Sequence, residues 1–191
     1  ESRGLGDVYK RQIQNKSSGT FLAVLKDFGS GNGHLSFPKE GLTLALDFKA
    51  SKKNIDVGKE LSDIVNDCKL LQNLDVSSVA ICSNDVINYP EDSFDKMIEF
   101  SNSNNFNFPY LHDETQEIAR KFDAVCTPDF FGYNKDLELQ YRGRVRELKK
   151  LIPVRDGDSD LLKAMTQIAE TNKGPENQIP SAGCGIKWKT N

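Results

Sequence analysis

Residues 79–144 read VAICSNDVINYPEDSFDKMIEFSNSNNFNFPYLHDETQEIARKFDAVCTPDFFGYNKDLELQYRGR, and the order of patterns in this stretch decides the fold. With the two serines before it, VAICS is an apolar, β-branched run of strand length. Pro90 and Glu91 then stand at or before the first turn of a helix that runs to about Ser103, with Asp92 or Ser93 as its cap. The polar string SNSNN ends that helix. Phe108 to Leu111 form a short strand, and Pro109 within it predicts an edge position or the start of pairing. Asp113 or Thr115 caps a second helix that carries Ile118, Ala119, Phe122 and Ala124. After Thr127-Pro128, Phe130 and Tyr133 lead to a turn at Asn134-Lys135-Asp136, and Leu137, Leu139 and Tyr141 return. The order is strand, helix, strand, helix, Thr-Pro, hairpin.

Upstream, TFLAVLKDFG has the alternation of a strand, GSGNGHLSFPKEG is a glycine-rich connection, and LTLALDF is a more apolar strand. GSGNG is not a phosphate loop, because it lacks GxGxxG register, a following helix and a Lys-Ser/Thr pair. Residues 54–73 place Ile55, Val57, Leu61, Ile64, Val65, Cys68 and Leu71 at helical intervals, so one face of this helix is apolar. Cys68 lies on that face as a small hydrophobe. LTLALDF, this helix and SSVAICS make a strand-helix-strand unit of ordinary crossover length, which predicts Leu42 to Phe48 parallel to Val79 to Cys82 in one sheet. Residues 1–12 have no apolar period and are read as a non-native leader. Downstream, Leu161, Leu162, Met165 and Ile168 mark a last helix from Asp158 to Glu170. Residues 173–191 form a Gly- and Pro-rich tail that can return Trp188 to the domain.

The 191 residues carry a net charge of −3, with Lys mixed among Asp and Glu, so no basic stripe is available to a nucleic acid. Apolar runs all fall short of the roughly 20 residues needed to cross a bilayer, and no signal-peptide pattern is present. The chain opens at Glu1, so compartment is not fixed by this; the cytoplasm is the default. The four cysteines, Cys68, Cys82, Cys126 and Cys184, are nowhere closer than fourteen positions. No pair has redox or metal spacing, and His34 and His112 add no cluster, so no structural metal is expected.

Four motifs carry a resemblance: SNDVINYPEDS at Ser83 to Ser93, FPYLHDETQEIA at Phe108 to Ala119, CTPDFF at Cys126 to Phe131, and GCGIKWK at Gly183 to Lys189. Over roughly residues 76–189 they resemble the bacterial thiol-antioxidant (AhpC/TSA) branch of the thioredoxin-like fold. The resemblance implies an α/β three-layer sandwich with a mixed sheet and a cis-proline loop at Thr127-Pro128. Residues 13–70 resemble a piece of the substrate domain of flavin-linked sugar and lactone oxidases, the decaprenylphosphoryl-ribose oxidase group. Its flavin-binding domain is not in this chain, so FAD contact is assigned to no residue and no cofactor is expected. The two resemblances meet between about Lys69 and Asp75. The expected organisation is therefore a leader (1–12), an oxidase-like fragment (13–72), a thioredoxin-like domain (73–172) and a tail (173–191), with the oxidase-like piece supplying the first strand and helix of the sheet.

Thioredoxin-like redox chemistry needs a low-pKa cysteine at a helix N-terminus, a second cysteine to resolve the mixed disulfide, and a cis-proline loop that holds extended substrate. The resemblance gives the cysteine pair an address between LTLALDF and the helix at Asn54. Lys49 to Lys53, KASKK, stand there, and none is a cysteine. Cys126 is then the candidate catalytic thiol, with Lys52 and Lys53 as the cations guessed to be near it; a buried, unreactive cysteine is the plainer account. Thr127 and Pro128 are the candidate substrate groove. A tether between Cys126 and Cys184 is open. Asp113 and Glu114 read as helix-capping carboxylates before an acid-base pair, and Arg142, Arg144 and Arg146 as a solvated strand edge before an anion site. Three functions follow: a thiol-disulfide or peroxiredoxin-related domain that has lost its redox pair, a flavin-oxidase fragment, or a non-catalytic module that binds an extended peptide by strand addition. The partner class is a thiol or disulfide protein or peptide.

Overall fold

The computed structural model describes residues 41–46 and 55–60 as backbone, and 61–149 and 152–190 in full. The leader, the first upstream strand, the glycine-rich connection and Lys49 to Lys53 lie outside the described residues. The elements are β1 (Gly41–Leu46), α1 (Ile55–Gln72), β2 (Val76–Cys82), a 3₁₀ turn (Pro90–Asp92), α2 (Phe94–Ser103), β3 (Tyr110–His112), α3 (Glu117–Lys121), β4 (Asp129–Asn134), β5 (Leu139–Gly143), β6 (Leu148–Lys149), β7 (Ile152–Pro153) and α4 (Asp160–Thr171).

Strand order in the main sheet is β3-β2-β1-β4-β5. β1 runs parallel to β2, pairing Leu42 with Ser77, Leu44 with Val79 and Leu46 with Ile81. The strand-helix-strand unit expected from LTLALDF to SSVAICS is thus formed. β3 is also parallel to β2 and lies at the edge, immediately after Pro109, as a proline inside a short strand requires. β4 is antiparallel to β1 and β5 to β4. Asn134 closes the β4–β5 turn, its Oδ1 accepting from the amides of Asp136 (3.1 Å) and Glu138 (2.8 Å).

Strand residues alternate between two cores. On one face Ala80 and Phe130 meet Leu61, Ile64, Cys68 and Leu71 of α1 and Leu161, Met165 and Ile168 of α4. On the other, Val79, Ile81, Phe131 and Tyr133 meet Ile118 and Ala119 of α3, Phe122 and, from the tail, Ile186. Helices on both sides of a mixed sheet make the three-layer α/β sandwich.

Local expectations need three corrections. Ser93 occupies the N-cap of α2 but its side chain makes no capping bond, and Asp92 is drawn away because its Oδ2 accepts from Asn84 Nδ2 (2.9 Å). α4 starts at Asp160, capped by Ser159, whose Oγ accepts from the Leu162 amide (2.9 Å) and donates to buried Asp67 (2.6 Å). The arginines after β4 are not a solvated edge: Arg142 pairs with Asp129 (3.0 Å), Arg144 with Asp160 (2.6 Å), and buried Arg146 with Asp63 (3.5 Å).

Candidate functional site: the cis-proline loop and its strap

The Thr127–Pro128 peptide is cis, as its place before a strand suggests. What fixes the loop follows it in sequence. Asp129 is 2% exposed; its Oδ2 accepts from Val125 N at 3.3 Å and from Arg142 Nη2 at 3.0 Å. The Arg142 guanidinium also donates to Asp123 O (2.6 Å) and lies over the Phe131 ring, 4.8 Å from its centroid. An arginine fork joined to a buried carboxylate and a ring face holds one geometry. The cation near Cys126 among the described residues is therefore Arg142; Lys52 and Lys53 lie outside them.

Cys126 is buried, and its Sγ donates to Pro128 O at 3.7 Å. Burial first, then the negative charge of Asp129, pushes its thiol up to about 11, with Arg142 opposing. At neutral pH the sulfur is a thiol, with thiolate on the order of one part in ten thousand. Burial pushes Cys68 further, to about 12. Cys82 is buried in β2, Cys184 is exposed, and none of the four cysteines is in a disulfide, so the Cys126–Cys184 tether is not made. Among the described residues no group of three His, Cys, Asp or Glu could hold a metal ion, and no helix is long and apolar enough to cross a membrane.

The groove beside Thr127 is occupied by the chain itself. Thr127 N donates to Cys184 O at 2.7 Å, and the two residues form an antiparallel bridge. A Cβ on Gly183 would stand 2.1 Å from Thr127 O, so only glycine allows this approach. Beyond it, Ile186 is buried in the second core. Lys187 N donates to Asn84 Oδ1 (2.9 Å) while Lys187 O accepts from Asp85 N (2.9 Å) and Gln116 Nε2 (2.9 Å). Lys189 N donates to Gln116 Oε1 at 2.8 Å, and Arg120 stacks on Trp188 with its guanidinium carbon 4.4 Å from the ring centroid. Trp188 thus returns to the domain as expected, on a strap of residues 183–189.

Gln116 is the hub of this arrangement. It is 1% exposed, holds φ of 62°, and its Nε2 also donates to Ser83 O at 2.6 Å. A buried glutamine in the left-handed region persists because three backbone groups hold it there. Next to it, Asp113 Oδ2 accepts from Ser83 Oγ (2.9 Å) and from Ala119 N (3.0 Å) in the first turn of α3. Asp113 is thus a structural carboxylate serving that turn from outside the cap, a position held by Gln116 in place of the expected Asp113 or Thr115.

Asn84, Asp85, Gln116, Asp129 and Gly183 are site residues to which the sequence reading gave no role. All five sit inside the four motifs, and the signal was available in one respect: SND and ETQ are polar strings, and GCGIKWK a glycine-bearing one, that follow no helical or strand period. The strap residues that Asn84 and Gln116 hold are 71 to 103 positions away, beyond any local pattern, and Asp129 meets Arg142 only across a hairpin.

The sheet order, the cis-proline loop ahead of β4 and the helices on both faces define a thioredoxin-like fold. A thioredoxin-like protein solved in its oxidised form shares it, with a TM-score of 0.54 at 12% identity, over 73% of this chain and 87% of that one. The AhpC/TSA family pattern matches residues 39–148, and the chain belongs to that family. An uncharacterised conserved protein from Geobacillus kaustophilus is 33% identical over 81% of each chain, with a TM-score of 0.73. A hypothetical protein from Sinorhizobium meliloti 1021 is 27% identical over 81% of this chain and 82% of that one, with a TM-score of 0.71. No curated protein matches. The family match runs across the junction expected at residues 69–75; none of these findings bears on the oxidase-like resemblance.

Proposed function

We propose that this chain is a thiol-antioxidant-family domain of oxidoreductase ancestry that does not itself turn over disulfides or peroxides. The observation that carries this reading is the state of Cys126: the thiol that leads into the cis-proline loop is buried, with its pKa pushed up to about 11. The absence of cysteine from Lys49 to Lys53, between β1 and α1, agrees with it. On this reading Gly41–Leu46 and Ile55–Gln72 serve as central strand and first helix whatever their ancestry, and no flavin is involved. The test is catalysed reduction of insulin by dithiothreitol. The chain should give the rate of dithiothreitol alone; acceleration that disappears in Cys126→Ser would overturn the reading.

A second reading, a non-catalytic module that holds extended peptide at the cis-proline edge, is favoured by one contact. The Thr127 amide already pairs antiparallel with an extended backbone, that of Cys184. Strand addition of this kind draws affinity from main-chain hydrogen bonds.

A further inference from the structure

The tail follows one continuous path across the domain. Arg142 N donates to Gln178 Oε1 (2.8 Å) and Arg144 N to Ile179 O (2.9 Å), so it first covers the outer edge of β5. Ser181 Oγ donates to Gly143 O at 2.7 Å. Residues 183 and 184 then cross the cis-proline loop, Ile186 enters the core, and Lys187 and Lys189 are tied at Asn84, Asp85 and Gln116. Both ends are anchored, and residues 182–185 between them are exposed. A cleft of about 200 Å³ lies between Pro128, Phe130, Val145 and Leu148 on the domain and residues 179–182 of the tail.

We propose that this strap is a built-in occupant of the cis-proline groove, and that the groove takes an external extended peptide only when the strap lifts. The inference rests on the peptide-binding reading above and adds two things: a gate and a ligand class. The ligand class is set by Thr127. Its carbonyl oxygen would be 2.1 Å, and its carbonyl carbon 2.8 Å, from a Cβ at position 183, so the residue before the paired one must be glycine. A Cβ at position 185 meets nothing within 4 Å, so the selection acts on one side only. The strap excludes competitors because it is tethered. An intramolecular segment acts at an effective concentration in the millimolar range, which a free peptide of equal affinity does not match.

The test uses the full chain, under reducing conditions, with a fluorescein-labelled peptide QIPSAGSGIKWK. This is the sequence of residues 178–189 with serine in place of cysteine, so that no disulfide forms. In Gly183→Val the added side chain drives the strap off Thr127, and the peptide should bind at least 10-fold more tightly than to the unaltered chain. A peptide with valine in place of its first glycine should bind neither, and Gly185→Ala should behave as the unaltered chain. Amide exchange supplies the second measurement: the Thr127 amide should be protected in the unaltered chain, open in Gly183→Val, and protected again when peptide is added. Equal affinity for the unaltered chain and Gly183→Val overturns the gate while leaving the peptide-binding reading in place. No binding to either, with the Thr127 amide open and the Ala80 amide still protected in Gly183→Val, overturns both. If Ala80 loses protection in that variant, Gly183→Ala replaces it under the same criteria.

Discussion

A thiol beside a cis-proline reacts when its anion is stabilised, and Cys126 has the opposite surroundings: low exposure, a neighbouring carboxylate and one arginine already committed to that carboxylate. The same shift is a statement about stability. Cys126 moves from 9.0 to about 11 and Cys68 from 9.0 to about 12 on folding, so both hold protons in the folded state that the unfolded chain releases above pH 9. The folded state binds more protons there, and stability must fall as pH rises from about 9 through 11, by up to about 3 kcal/mol for Cys126 at 1.4 kcal/mol per pKa unit. Urea unfolding at pH 7, 9, 10 and 11 should show that decline, and Cys126→Ala should make it shallower while leaving the share of Cys68; a decline unchanged in that variant would assign it elsewhere. Asp67 gives the acid counterpart. Burial raises its pKa above 3.8, so its charged form costs stability as pH rises past 3.8, and Asp67→Asn should unfold at higher urea than the parent chain at pH 7. Cys68 was legible in the sequence because helical spacing alone put it on an apolar face. The surroundings of Cys126 were not, since Asp129 and Arg142 meet only through the pairing of β4 with β5, and Asp67 finds Ser159 from 92 positions away.

Among the elements, α1 and α4 are joined by a polar contact set into an apolar seam. Ser159 caps α4 through its oxygen and uses its proton on Asp67 of α1, so one hydroxyl satisfies two elements at once. Ser159→Ala leaves the Leu162 amide uncapped and a buried carboxylate without its donor. Loss of a cap costs about 1 kcal/mol and loss of a hydrogen bond to a charged group about 1.5–3 kcal/mol, so the expected destabilisation is about 2.5–4 kcal/mol. Chemical denaturation reads this directly, and a loss below 1 kcal/mol would mean that water replaces the hydroxyl. Element type was legible because it rests on local pattern: crossover length gave the parallel pairing of β1 with β2, Pro109 the edge place of β3, and the turn residues after Tyr133 the β4–β5 hairpin. Cap identity was not, because Asp92 and Ser93 are both good capping residues and the choice is made by Asn84, a residue outside the helix.

At the scale of the molecule, the four motifs explain one another. SNDVINYPEDS supplies Asn84 and Asp85, with Asp92 orienting Asn84, FPYLHDETQEIA supplies Gln116, CTPDFF supplies the Thr127 amide, and GCGIKWK is the strap they hold. The sequence identified the motifs and their fold but not this purpose, because strings with no period of their own reveal function only when folding brings them together. The strap is held at near balance. Burying Ile186 contributes about 2 kcal/mol, and five hydrogen bonds contribute about 1 kcal/mol each. Ordering residues 183–189 costs about 1 kcal/mol per residue at the low end, so the terms cancel to within a few kcal/mol. A segment so held opens without global unfolding. Native-state hydrogen exchange should therefore find the amides of Thr127, Asp85, Lys187 and Lys189 exchanging as one group. They should exchange at least about 100-fold faster than the Ala80 amide, which donates to Pro109 O inside the sheet, since 1.4 kcal/mol corresponds to tenfold. If instead those four amides exchange as slowly as Ala80, the strap opens only when the whole domain unfolds and is as much a part of the core as β4.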